Sequence, residues 1–138
     1  MSAPFSWEPF GSTRLATPPA TRRMPREPAR QLVVLTCMDA RLEPMRILRL
    51  RLGDAHVIRN AGAEATADAL RSMAVSHTAM GTRRAMVIGH TDCAAHASDD
   101  EVEAGVRASV ARVRAKLPAL TVEGAVYDVQ AGVLRPVR

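Results

Sequence analysis

Aliphatic residues in this chain fall into two alternating patterns: short unbroken runs, and longer stretches in which they recur every three or four positions. The first unbroken run, Gln31-Leu32-Val33-Val34-Leu35-Thr36, is rich in β-branched residues and predicts a strand covered on both faces. Leu42, Met45, Ile47, Leu48 and Leu52 follow near helical spacing. They predict a helix over 42–52, which Gly53-Asp54 turns into a second strand, Ala55-His56-Val57-Ile58. Leu70, Met73, Ala74, His77 and Met80 form one stripe of a helix expected over 64–80 and stopped at Gly81. Ala85-Met86-Val87-Ile88 is a third strand. Val102, Val106, Val110, Val113 and Leu117 predict a last helix over 100–117, closed by Pro118. Ala125 to Val129 and Val133-Leu134 flank Gln130-Ala131-Gly132 and predict a hairpin.

Strands alternating with helices imply right-handed crossovers and an α/β fold. The expected architecture is a central, mostly parallel sheet of about five strands with flanking helices and one antiparallel edge strand. Residues 1–30 break the pattern, because Pro4, Pro9, Pro18, Pro19, Pro25 and Pro28 disfavour both helix and central strand. They are expected to form an extended N-terminal arm, leaving 31–138 as the folded domain. Phe5, Trp7 and Phe10 stand at the start of that arm and are expected to rest on a surface of this subunit or of a partner.

Composition narrows the function. At 138 residues and 47% hydrophobic the chain is one domain with a single moderate core. The formal charge of +5 comes from arginines scattered between acids, and Arg22-Arg23 and Arg83-Arg84 have no aromatic neighbours to stack on bases. Nucleic-acid binding is therefore not expected. No apolar run is long enough for a membrane span, and residues 1–30 carry no signal-peptide core, so a cytoplasmic protein is expected. In a reducing compartment its two cysteines stay thiols, free to bind metal or react.

Those cysteines fall where an open parallel sheet binds ligands, in the loops leaving the carboxyl ends of strands. The first strand ends in Cys37-Met38-Asp39-Ala40-Arg41 and the third in Gly89-His90-Thr91-Asp92-Cys93. His90 and Cys93 are three apart and would share one face of a helix beginning there, with Cys37 completing the set from the neighbouring loop. Two thiolates and an imidazole suit zinc, and three protein ligands without an obvious fourth is the pattern of a catalytic site. Asp39 and Arg41, two apart in an extended loop, point the same way and can pair bidentately. Asp39 can then either accept a hydrogen bond from zinc-bound hydroxide or swing onto the metal and shut the site. Buried structural thiols, a catalytic cysteine with His90 as base, and a plain surface ion pair at Asp39-Arg41 are the competing readings. His56, His77 and His96 are candidate proton shuttles, with His96 nearest the metal loop; Asp92 is expected to cap a helix or stay solvated.

The constellation Cys37-x-Asp39-x-Arg41 with His90-x-x-Cys93 resembles that of the β-class carbonic anhydrases, as do Arg59-Asn60-Ala61-Gly62 and the Tyr127 to Leu134 ending. The resemblance covers roughly 31–138. It implies zinc held by Cys37, His90 and Cys93, a gating pair of Asp39 and Arg41, and a substrate approach lined by Asn60, Ala61 and Gly62. The implied activity is reversible hydration of carbon dioxide to bicarbonate by zinc-bound hydroxide in a homodimer or higher homo-oligomer. Carbonyl sulfide hydrolases are similar in the same motifs and give an alternative activity, and a noncatalytic zinc-binding homologue gives a third. The chain departs from the family pattern at Ala94, where a glycine usually follows the second cysteine, and lacks a helical stretch before the last crossover helix.

Overall fold

The structure, a computed structural model, describes residues 23–138. Strands β1 (Leu32–Cys37), β2 (Ala55–Asn60), β3 (Arg84–His90), β4 (Thr121–Asp128) and β5 (Val133–Val137) form one sheet in the order β2-β1-β3-β4-β5. The first four strands run parallel, and β5 returns antiparallel to β4. This is the expected α/β architecture. Val33, Val34 and Leu35 in β1 are completely buried, as an unbroken apolar run in a central strand requires.

Helices α2 (Ala67–Met80) and α3 (Asp99–Lys116) lay their apolar stripes on this core. Thr66 caps α2 by accepting from the Ala69 amide, and Gly81 ends it in the left-handed conformation. Its buried line runs through Ala69, Met73 and Ser76, about one position round from the expected stripe. Ser76 tolerates burial because its hydroxyl joins Thr82 Oγ1 at 2.6 Å and His56 Nδ1 at 2.7 Å. In α3, Val102, Val106, Val110 and Val113 are all buried, as their spacing predicts. The helix lies very close to the sheet: a Cβ at Gly89 would come within 2.8 Å of Val106 Cγ2 and 2.9 Å of Val102 Cγ1. Glycine at this position lets α3 reach β3 directly beside His90.

The helix expected over 42–52 is much shorter. Only α1 (Pro44–Ile47) is helical, and Arg49 then takes a left-handed φ of +54° that breaks the turn. The apolar residues there serve a compact loop instead, with Leu42 buried and Leu52 exposed. β4 begins at Thr121 rather than 125, extended by pairing with β3. Phe5, Trp7 and Phe10 lie outside the described residues. Of the remaining N-terminal residues, Ala29 and Arg30 donate backbone hydrogen bonds to Gly53 O and Asp54 O, and Pro28 is buried.

β1 lies between β2 and β3, so the chain leaves it in one direction and later returns on the other side. That reversal opens a crevice at the carboxyl ends of β1 and β3. Cys37 ends β1 and His90 ends β3.

Candidate metal centre

Parallel register sets Thr36 opposite Ile88, which brings Cys37 at the end of β1 near His90 at the end of β3. Cys93 follows from the loop. One ligand atom from each of Cys37, His90 and Cys93 lies within 4.8 Å of the other two, and the two sulfurs are 3.9 Å apart, so they are thiols rather than a disulfide. All three side chains are buried. The shared helix expected for His90 and Cys93 does not form: β3 continues through His90, and the next helix begins at Asp99. A tight loop turns Cys93 back instead, with Asp92 in a left-handed φ of +54°. Asp92 is not a helix cap; Ser98 caps α3 by accepting from the Glu101 amide.

Groups around the triad prepare it for a cation. His90 Nδ1 is 2.8 Å from the Thr91 carbonyl, so this nitrogen carries the proton and Nε2 presents its lone pair. Nε2 is buried and has no hydrogen-bond partner among the described residues; Asp39 Oδ2, at 3.7 Å, is too far. An orphaned buried acceptor of this kind costs about 1–3 kcal/mol. The Gly62 amide donates to Cys37 Sγ at 3.4 Å, stabilising negative charge on sulfur. Gly62 holds φ at +81°, and a Cβ there would stand 2.9 Å from His96 Nε2. Burial pushes the Cys93 thiol up, and the neighbouring Cys37 adds to the shift. Ligation by Cys93 therefore requires a cation that displaces the thiol proton. The donor set fits zinc: two sulfurs and one imidazole nitrogen converge on one point, and the nitrogen has no other partner.

Asp39 and Arg41 form the bidentate pair expected, Nε to Oδ1 at 3.0 Å and Nη2 to Oδ2 at 2.9 Å. The Arg41 amide adds a third bond to Oδ1 at 2.8 Å. The Arg41 side chain and then its amide hold the Asp39 carboxyl well below the usual carboxylate range. Arg41 also reaches across to the Cys93 loop, donating to Asp92 Oδ2 at 3.1 Å and Asp92 O at 2.9 Å.

Sequence reasoning assigned Arg59 no job, yet its guanidinium ties the first loop together. Nε donates to Cys37 O, and Nη2 to Asp39 O and Leu42 O, at 2.9, 2.9 and 3.1 Å. The β1–β2 register, which pairs Thr36 with Arg59, is the signal that would have found it. Asn60 spends its amide on the Glu64 backbone, closing the turn that carries Ala61 and Gly62. Ala61 and Gly62 line a cleft of about 230 Å³ with Ala95 and His96. His56 and His77 are structural: His56 bridges Ser76 and the Arg26 carbonyl, and His77 Nδ1 meets the Thr82 carbonyl.

Known proteins are similar to this chain in sequence and fold. The family model for carbonic anhydrase matches residues 32–120. The crystal structure of a carbonic anhydrase from Streptococcus mutans superposes with a TM-score of 0.77 at 32% identity, over 84% of this chain and 86% of that one. Beta-carbonic anhydrase 1 of Mycobacterium tuberculosis is 46% identical over 70 residues, 51% of this chain and 43% of its own length. Carbon disulfide hydrolase of Saccharolobus solfataricus is 38% identical over 100 residues, 68% of this chain and 49% of its own length. The matches thus span less than half the length of these curated relatives. With the family model matching most of the chain and a solved carbonic anhydrase sharing the fold over most of both chains, the protein belongs to the β-class carbonic anhydrase family.

Proposed function

We propose that this protein catalyses the reversible hydration of carbon dioxide to bicarbonate, with Cys37, His90 and Cys93 as zinc ligands and Asp39 and Arg41 as the pair controlling the reacting oxygen. The observation that carries this reading is the unpartnered His90 Nε2, buried against two thiols with an ionised carboxylate 3.7 Å away. When bound, the ion supplies the Lewis acidity that lets water lose a proton near neutral pH. Asp39, kept ionised by Arg41, can only accept hydrogen bonds, so it selects and orients an attacking oxygen that still bears a proton. Arg41 keeps that carboxylate turned to one side of the triad. Gly62 supplies an amide to Cys37, and we assign the substrate path to Asn60, Ala61 and Gly62, of which Ala61 and Gly62 also border the neighbouring cleft.

Exposed Met38 beside the triad and Val57 on edge strand β2 support a homodimer. We place the protein in the cytoplasm, where ligand thiols stay reduced. No described helix is long and apolar enough to cross a membrane. The described part of the 1–30 arm is tied to the 31–138 domain at Gly53 and Asp54.

The test is metal content together with carbon dioxide hydration, assayed on one preparation beside carbonyl sulfide and carbon disulfide consumption. Hydration that Asp39→Ala abolishes while zinc remains bound supports the proposal. Zinc without hydration refutes it. Sulfide release in place of hydration favours the hydrolase reading, to which the carbon disulfide hydrolase relative points.

A further inference from the structure

Arg41 serves two carboxylates from two different loops. Its Nε and Nη2 hold Asp39, two residues away in its own loop, while Nη1 and Nη2 reach Asp92 in the loop that delivers Cys93. The Asp39 half of this arrangement is local and would survive anywhere the two residues stayed together. The Asp92 half is not: among the described residues it is the hydrogen-bonded link from the Asp39–Arg41 pair to the loop that carries Cys93. Asp92 is suited to that task. Its left-handed backbone, which aspartate and asparagine tolerate better than most residues, coexists with its Oδ2 and its backbone carbonyl both accepting from one guanidinium. Its own amide is fixed in turn by Asp99 Oδ1 at 2.9 Å, in the first turn of α3. A continuous tether therefore runs from α3 through Asp92 and Arg41 to Asp39.

We infer that Asp92 is a positioning residue, holding the Asp39–Arg41 pair in register with the triad and acting only through Arg41. The inference rests on the triad being a metal site but not on which substrate the site turns over. The Asp92 side chain is 83% exposed, so the ion pair is screened and its removal produces a several-fold effect rather than a collapse.

A double-mutant cycle on the zinc-loaded protein tests this, using Asp92→Asn, Arg41→Ala and the double variant. Asparagine keeps the size and the left-handed tolerance and removes the charge. One readout is the rate at which a chelator strips zinc; the other is the split between kcat and KM for carbon dioxide hydration. Asp92→Asn is expected to bind zinc in full, release it roughly two- to fivefold faster, and lower kcat by a similar factor at unchanged KM. In the Arg41→Ala background the same substitution is expected to change neither readout. Additive effects in the double variant would overturn the inference, because Asp92 would then act without Arg41. An Asp92→Asn protein identical to the parent in zinc release would overturn it equally. Failure to bind zinc at all would instead sink the metal-site reading beneath it, and the zinc readout keeps these outcomes apart from a missing activity.

Discussion

Replacing Arg59 by methionine should loosen the metal centre from behind, although Arg59 donates to none of the ligand atoms. The guanidinium holds three carbonyls, those of Cys37, Asp39 and Leu42, and methionine keeps much of the apolar stem while removing every donor. Water can replace the exposed contact to Asp39 O at little cost. The two half-buried carbonyls lose a charged partner, at about 1 kcal/mol each after partial hydration, or about 2 kcal/mol together. A loss of that size lowers the melting temperature of a domain this long by roughly 6–10 °C. If the strain falls wholly on the Cys37 loop, zinc affinity drops about 30-fold. Urea unfolding of the metal-free protein measures the first effect, and competition with a chromophoric chelator the second. Lysine should not rescue either, since an ammonium lacks the planar fork that reaches three acceptors. An Arg59→Met protein with parental unfolding and parental zinc competition would refute the argument, and so would full rescue by lysine.

Three further outcomes are expected. Gly89→Ala forces a methyl group against Val102 and Val106 and should cost about 1–3 kcal/mol in urea unfolding; an unchanged midpoint would mean that α3 does not approach β3 as described. Because burial raises the Cys93 thiol, zinc uptake should release protons and weaken steadily as pH falls, which calorimetry in buffers of different ionisation enthalpy detects; uptake without proton release would contradict thiolate ligation. The depressed Asp39 carboxyl contributes stability that is full above its ordinary pKa and is lost progressively as pH falls from there through the lowered folded value. Carboxyl-carbon NMR should therefore show Asp39 ionised through ordinary acid conditions in the parent and returning toward about 3.9 in Arg41→Ala; a parent Asp39 already titrating there would contradict the pairing.

The sheet was legible because β1 and β3 are central strands, whose unbroken apolar runs need no partner to be recognised, and because Gly81 and Pro118 mark where the helices end. The segment after Cys37 was not. Leu42, Met45 and Leu48 carry helical spacing, but the left-handed Arg49 and the bonds from Arg59 to the loop carbonyls are decided by tertiary packing. At the site, the Asp39–Arg41 pair followed from a spacing of two in extended chain. His90 and Cys93 were brought together through a helix that does not exist: the loop bends where Asp92 goes left-handed, a conformation no apolar period encodes. Arg59 went unassigned, and Asp92 was read as a helix cap or a solvated residue, for a related reason. Each acts across a gap between strands that only the β2-β1-β3 order closes.

X-ray absorption at the zinc edge of the purified protein, with metal counted on the same sample, tests the central claim most directly. Two sulfurs at about 2.3 Å, one imidazole nitrogen at about 2.0–2.1 Å and a single further light atom are expected around one zinc per chain. Four protein sulfur or nitrogen donors, or a metal shell unchanged in Cys93→Ala, would contradict it.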